Sequence, residues 1–191
     1  GIAKYYENLS NGKKNNVNHI RTLIEYSENL EKDIKSKFSK NSPSLNYLYQ
    51  FNVEERIKVK DLIESQNRIQ KFTKLIKLDS NDTELFLDRG DARYSVGDLE
   101  GAKNDYLQVI KIEPLNDWAY YNLAFTTYEL GEINEAIDAL EKAISLNKLN
   151  SEYYRLSGLI KQNQGNFNNA IKDYNISLKI EPENIQTHFN K

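Results

Sequence analysis

The sequence has 191 residues, with no cysteine, one tryptophan and only three prolines. Without cysteine the chain can form no disulfide, no thiolate nucleophile and no zinc–thiolate site. Its apolar runs are far too short to cross a bilayer, so we expect no membrane insertion. With 39% hydrophobic and 28% charged residues the chain can still bury a core. The compartment stays open: a cytoplasmic location is slightly favoured, and a secreted or cell-envelope location remains an alternative.

Residues that support catalysis or cofactor binding are also scarce. The two histidines, His19 and His188, lie at opposite ends of the chain, and neither has a nucleophile or a metal-ligand spacing beside it. Residues 97–101 lack the lysine and the preceding strand of a phosphate-binding loop. Basic residues are spread out and form no dense patch for phosphate recognition. We therefore expect no enzyme, no catalytic or metal-binding residue, no cofactor and no nucleic-acid partner.

What the sequence does contain is an internal repeat. Gly97, Gly131 and Gly165 are 34 residues apart, and the surrounding sequence repeats without insertion in three units, 83–116, 117–150 and 151–184. A period of this length indicates a solenoid of stacked helical units. Each glycine follows an apolar-periodic stretch, where a left-handed helix end is easiest without a side chain. Three further positions recur: a small eighth residue (Gly90, Ala124, Gly158), an alanine at the twentieth (Ala102, Ala136, Ala170) and a bulky twenty-fourth residue (Tyr106, Leu140, Tyr174).

These positions resemble the tetratricopeptide repeat family, whose unit is a 34-residue antiparallel helix pair. The resemblance covers residues 83–184 and implies an all-α fold, a right-handed α-solenoid of antiparallel helix pairs. Small residues then allow the helices to approach closely, and large ones fill the groove beside them. Arg89 and Ser157 replace the family's leucine, and Val109 and Ser177 replace its alanine. We expect these changes to loosen the packing slightly.

The remaining residues extend the repeats at both ends. We expect a polar tail over 1–16, N-terminal helices over 17–82 and the start of a further repeat or a capping helix over 185–191. Apolar residues of 17–39 fall on one helical face, and residues 69–78 lie in register with the second helix of a repeat, which predicts a cap on the solenoid. Because a solenoid cut within a helix exposes apolar surface, we expect the natural chain to continue beyond Lys191 or a neighbour to order this end.

In the family, the first helices of successive repeats line a concave groove that accepts an extended peptide or a partner helix. Trp118, Tyr121, Phe125 and Tyr128 fall within one arc of such a helix, opposite the face that packs inward. Exposed aromatic patches mark interaction sites, so we predict a protein-binding adaptor or scaffold. The expected partner-binding residues are Glu84, Asp91, Tyr94, Trp118, Tyr121, Asn122, Phe125, Tyr128, Arg155 and Leu159.

Other readings stay open at this point. The chain is alternatively a structural or oligomerising element, in which helix 17–39 pairs with a copy of itself or fills the groove, or the interaction domain of a larger protein. Accessibility of Trp118 separates an open groove from a filled one. Co-chaperone members of the family grip a terminal carboxylate with lysine, arginine and asparagine. Here only Asn122 matches, while Leu87, Asp91 and Glu152 do not, which argues against such a clamp.

Overall fold

The computed structural model describes residues 43–190. This range contains eight helices and no strand: α1 (Pro43–Ile76), α2 (Thr83–Ser95), α3 (Leu99–Ile112), α4 (Asp117–Glu129), α5 (Ile133–Leu146), α6 (Ser151–Asn163), α7 (Phe167–Ile180) and α8 (Ile185–Asn190). The predicted all-α fold class is thereby confirmed. The predicted tail 1–16 and helix 17–39 lie outside the described residues.

The chain divides into two compact units between Arg68 and Ile69. Helix α1 begins in the first unit, and its last two turns belong to the second, together with α2–α8. Within the second unit α2 pairs with α3, α4 with α5 and α6 with α7, each pair corresponding to one sequence repeat. None of the helices in the described range is both long and apolar enough to cross a lipid bilayer.

Each repeat begins at a helix capped by the last residue of the preceding unit. The side-chain oxygen of this residue accepts hydrogen bonds of 2.9–3.3 Å from backbone N–H groups in the first helical turn. Aspartate and asparagine are strong N-caps because they satisfy donors that have no partner within the helix. The capping residues are Asp82, Asn116, Asn150 and Asn184.

A glycine in the left-handed region lies two residues beyond the end of the first helix of each repeat. Gly97, Gly131 and Gly165 have φ values of 80°, 81° and 76°. The next residue then donates its backbone N–H to a carbonyl in the last helical turn, as Asp98 does to Arg93 at 2.9 Å. This geometry satisfies carbonyl groups that the helix leaves unpaired, and it confirms the helix ends predicted from the glycine spacing.

The two helices of a repeat approach closely at its eighth and twenty-fourth residues. A Cβ atom placed on Gly90 would lie 2.7 Å from Tyr106 Cε1, so the tyrosine ring occupies the space that any larger residue would need. The third repeat has the same arrangement. In the middle repeat the eighth residue is alanine instead of glycine, and the twenty-fourth is leucine instead of tyrosine. The three pairs are Gly90–Tyr106, Ala124–Leu140 and Gly158–Tyr174.

A buried ion cluster explains one departure from the family pattern. Asp105 is 1% exposed and accepts hydrogen bonds from Arg89 at 2.6 and 2.9 Å and from Arg93 at 2.9 Å. Arg89 also donates to Thr73 in α1 at 3.3 Å. The middle repeat has neutral residues at the three equivalent places, whereas in the third repeat a serine and a lysine bind the aspartate. The three sets are Arg89–Arg93–Asp105, Leu123–Thr127–Ala139 and Ser157–Lys161–Asp173.

A second hydrogen bond within each repeat joins its first residue to its thirty-first. Asp117 accepts from Asn147 at 2.9 Å in the middle repeat, and its carboxylate also accepts from the hydroxyl of Tyr153 at 2.7 Å. In the first and third repeats the direction is reversed, because a hydroxyl donates to a glutamate, as Thr83 does to Glu113. The hydroxyl stabilises the ionised carboxylate and holds the pKa of Glu113 below its ordinary value.

Residues of α1 and α8 contact the two ends of the repeat stack. Phe72 of α1 is buried, and Ile76 packs against the cluster of Phe86, Val109 and Ala119. At the other end, the buried hydroxyls of Ser177 and Thr187 lie 3.0 Å apart. Both positions that depart from the family's alanine are therefore fully enclosed, Val109 by apolar contact and Ser177 by a hydrogen bond. The proposed domain boundaries themselves stay a prediction.

The glycine–tyrosine pair gives a first test, in which the Gly90→Ala substitution should destabilise the protein. Replacing glycine by alanine inside a helix ordinarily stabilises it by about 0.5–1 kcal/mol, but here the added methyl group meets the Tyr106 ring, and overpacking costs about 1–3 kcal/mol. Urea unfolding of G90A, Y106L and the double variant measures this coupling. The double variant, which copies the middle repeat, should be less destabilised than the sum of the two single variants. A stabilised G90A protein would contradict the close approach.

The ion cluster gives a second test, because Asp105→Ala removes the buried carboxylate of Arg89 and leaves Arg93 with only the more exposed Asp98, 3.5 Å away. We expect a loss of about 3–5 kcal/mol in the free energy of unfolding. The triple variant R89L/R93T/D105A carries the residues of the middle repeat and should recover most of this loss. Urea titrations of both variants make the comparison.

Glu135→Ala is the matched control for Asp105, since it removes an exposed carboxylate that pairs with Lys103. Its effect should not exceed about 1 kcal/mol. If the triple variant were as unstable as D105A alone, the neutral residues of the middle repeat could not replace the ion cluster in the first repeat.

Candidate functional site

Four aromatic side chains on α2 and α4 form a continuous row, which we call the aromatic face: Tyr94, Trp118, Tyr121 and Phe125. The ring centroids of Trp118 and Tyr121 are 5.2 Å apart, and those of Tyr121 and Phe125 are 6.4 Å apart. Phe125 then contacts Tyr94 of the preceding repeat at 5.5 Å. Such distances are typical of favourable aromatic pairs, so the row extends along α4 and onto α2.

The members of the aromatic face differ in exposure. Trp118 is 45% exposed, Phe125 and Tyr94 are half-buried, and Tyr121 is 8% exposed. Tyr121 lies deeper because its ring stacks on Tyr153 of the third repeat at 5.1 Å. The sequence placed Tyr121 among the contact residues; in the structure it supports the exposed rings and links two repeats.

Exposed carboxylates lie on the two helices that carry this face. Glu84, Asp91 and Glu129 are exposed on α2 and α4. Burial, followed by the negative charge of Glu129, raises the pKa of Tyr94 above its ordinary value. Asp91 accepts a 2.7 Å hydrogen bond from the Tyr106 hydroxyl. The Tyr94 end of the aromatic face is therefore acidic.

Of the two predicted binding residues in the third repeat, only Arg155 is charged, and it already forms an ion pair. Arg155 lies 2.7 Å from Glu152 on the same helix, so their charges largely cancel. Leu159 is half-buried against the core, and Tyr128 accepts a hydrogen bond from Asn163. The side-chain nitrogen of Asn122 is buried without a hydrogen-bond partner. All ten predicted residues thus lie on α2, α4 and α6, but they differ widely in what they can offer a ligand.

One part of this surface was missed by the sequence analysis. Pro114, Leu115 and Trp118 line a shallow depression where α3 turns into α4. Leu115 is 77% exposed, and Leu149, at the equivalent place of the next turn, is 81% exposed. The aromatic face therefore continues onto an apolar turn. A leucine in a turn gives no periodic signal, although its recurrence at a 34-residue spacing is visible in the sequence.

Among residues 43–190, no group of three acidic or histidine side chains is arranged to hold a metal ion. His188, one of the two histidines, lies in the short helix α8 with its ring nitrogen 3.0 Å from the carbonyl oxygen of Pro182.

Comparisons with known proteins agree with this architecture. A family model described as "TPR repeat" matches residues 90–131, and one described as "Tetratricopeptide repeat" matches 119–148 and 151–184. The TPR repeat-containing protein MJ1428 of Methanocaldococcus jannaschii is 28% identical over 151 residues, which are 77% of this chain and 24% of that protein. The Hsp70-Hsp90 organising protein of Plasmodium falciparum is 30% identical over 95 residues, 50% of this chain and 38% of that protein. The chain thus spans less than half the length of either relative.

Among solved structures, the crystal structure of MamA is 28% identical and superposes with a TM-score of 0.60, covering 64% of this chain and 71% of MamA. Stacked antiparallel helix pairs define the class of helical-repeat solenoid proteins. Within that class, the 34-residue period, the matching family models and these relatives show a protein with tetratricopeptide repeats, which the models match over residues 90–148 and 151–184.

Exposure of the aromatic face can be tested by fluorescence, because Trp118 is the only tryptophan in the chain. We expect acrylamide to quench the folded protein with a Stern–Volmer constant that is a substantial fraction of the value in urea, since Trp118 is 45% exposed. Free N-acetyltryptophanamide serves as the fully exposed reference. Near-complete protection in the folded state would contradict this exposure and would show that the face is covered in the isolated protein.

Proposed function

We propose that this chain is a non-catalytic protein-interaction module that binds a peptide or helix of a partner protein on the aromatic face. The observation that carries the proposal is the exposure of Trp118 at one end of a packed aromatic row. Large exposed rings are costly for a monomer to keep in water, and tryptophan and tyrosine are enriched among residues that dominate binding energy.

The row is also held in place before any ligand arrives. Tyr121 is fixed between Trp118, Phe125 and Tyr153, so the exposed rings rest on a buried one. A preorganised surface loses little side-chain entropy on binding. This rigidity supports a role for Trp118 and Phe125 as anchors for the partner, with Tyr121 as their support.

Charge gives the ligand a direction. The carboxylates of Asp91 and Glu129 flank the Tyr94 end of the row, while Arg155 is already paired with Glu152. A segment with an aromatic or aliphatic residue for Phe125 and a basic residue near Asp91 fits this arrangement. Charges at the rim chiefly set orientation and association rate.

Protein binding is consistent with the relatives, one of which is named an Hsp70-Hsp90 organising protein. The mode of binding proposed here differs from a terminal-carboxylate clamp. Leu87 packs into the core, Asp91 presents a carboxylate, and Glu152 is paired with Arg155. An anionic chain end would meet like charge at Asp91 and would find no cation at the other two places.

The proposal predicts that Trp118→Ala combined with Phe125→Ala abolishes capture of a partner from native lysate. Each desolvated aromatic anchor contributes about 2 kcal/mol or more, so losing one weakens binding by at least about 30-fold. Pull-down with the wild-type chain identifies the partner, and titration with the purified partner measures the affinity of each variant. Circular dichroism confirms that the double variant remains folded.

Phe167→Ala is the matched control, because Phe167 is another exposed aromatic residue, 61% exposed, but lies on α7 away from the aromatic face. It should retain the partner. Equal retention by the W118A/F125A variant would refute binding at the aromatic face and direct attention to other surfaces.

A further inference from the structure

A cavity of about 310 Å³ opens between α5, α6 and the start of α7. It lies away from the aromatic face: α6 turns Tyr154, Ser157 and Lys161 toward the cavity, and Arg155 and Leu159 lie roughly 100° or more around the same helix. No residue of the proposed partner-binding surface lines it. The cavity therefore needs an explanation of its own.

The cavity exists because the second and third repeats meet differently from the first and second. Helices α5 and α6 pack less closely than their equivalents α3 and α4. Between the first two repeats, Lys103 bridges to Glu132 at 2.6 Å and to Glu135 at 2.8 Å, which closes the junction on this side. The residues equivalent to Lys103 and Glu132 are Ile137 and Asn166, which cannot form an ion pair.

Side-chain volume differs in the same direction. Leu140 and Ser157, both in the cavity wall, stand where the first junction has the larger residues Tyr106 and Leu123. Removing bulk from a junction leaves a space that the surrounding helices close only in part. The loss of the bridge and the smaller residues at these two places accompany the opening.

The lining has an apolar wall and a polar rim. Ile137, Leu140, Ile144 and Ile160 supply the wall. At the base, Asp173 accepts hydrogen bonds from Ser157 and Lys161, so this charged pair is internally satisfied. At the rim, the amide of Asn166 makes no capping hydrogen bond to its own helix.

From this geometry we propose that the cavity is a binding site for a small neutral molecule with an aromatic or branched aliphatic body and one hydrogen-bonding group. Small-molecule sites are mostly apolar concavities of about 300 Å³ upward with a few polar groups that set orientation. The ring enters between Leu140, Ile144 and Ile160, and its polar group reaches the amides of Gln164 and Asn166. An anionic ligand is disfavoured because Glu141 also lines the cavity and Lys161 is already bound to Asp173.

Titration of the full chain with indole, followed by NMR of the isoleucine and leucine methyl groups, tests the proposal. We expect saturable shifts at Leu140, Ile144 and Ile160, with a dissociation constant of about 1 mM or tighter for a probe of this size. The variant I137K/N166E copies the closed junction and should abolish these shifts. Trp118→Ala should leave them unchanged, which separates the cavity from the aromatic face.

Ser157→Leu provides a second way to fill the cavity, should the charged pair disturb folding. The proposal would be overturned if the wild-type protein showed no saturable indole binding. It would also be overturned if I137K/N166E and Ser157→Leu both bound indole as tightly as the wild-type protein does. Loss of protein partners in I137K/N166E without any saturable indole binding would also overturn it, because the cavity would then receive a partner's side chain. Partner capture that survives in I137K/N166E while indole binding is lost supports the small-molecule site and is independent of the aromatic face.

Discussion

Close approach of two helices at one small residue underlies this structure. Where Gly90 lies against the Tyr106 ring, the separation of α2 and α3 is set by direct atomic contact. This separation determines where the first helix presents its outer side, and thus where Tyr94 meets Phe125 of the next repeat. The aromatic face is therefore a consequence of packing on the opposite side of the same helices, since a packed interior transmits small displacements.

The three repeats differ from one another in coupled groups of residues. In the middle repeat, alanine replaces the glycine of the close approach and leucine replaces the tyrosine that faces it. The same repeat lacks the buried aspartate, and it also lacks both of the basic residues that bind it in the first repeat. Each copy keeps its interior filled and its buried charges paired, which is the condition for a stable interior. Such sets explain how copies of one unit can diverge in sequence while retaining the same helix pair.

The sequence predicted well whatever depends on local chemistry. Gly97 and its equivalents ended the first helices as expected, since a left-handed residue followed by a polar cap is a short-range signal. Helical periodicity also put Trp118 opposite the inward-packing side of α4, but it left open whether another segment covers it. The burial of Tyr121 did not, because it depends on Tyr153, a ring from the next repeat. Arg89 appeared only as a departure from a family pattern, and its reason, Asp105, lies on another helix.

The cavity between α5 and α6 was beyond sequence reasoning for a similar reason. No single residue there is unusual, and the opening arises from the combination of Ile137, Leu140, Ser157 and Asn166 across three helices. The candidate binding surface was located from the sequence, whereas the support beneath it and the space behind it required the packed structure.

The reversed hydrogen bond in the middle repeat also bears on how a repetitive chain avoids pairing with the wrong copy of itself. During folding, α4 encounters three second helices of similar shape and periodicity. Among the thirty-first residues of the three repeats, only Asn147 offers a donor to Asp117, because Glu113 and Glu181 would place carboxylate against carboxylate. Because donor and acceptor exchange places in the middle repeat, pairing α4 with the second helix of a neighbouring repeat is unfavourable. This applies to the helix that carries the exposed Trp118.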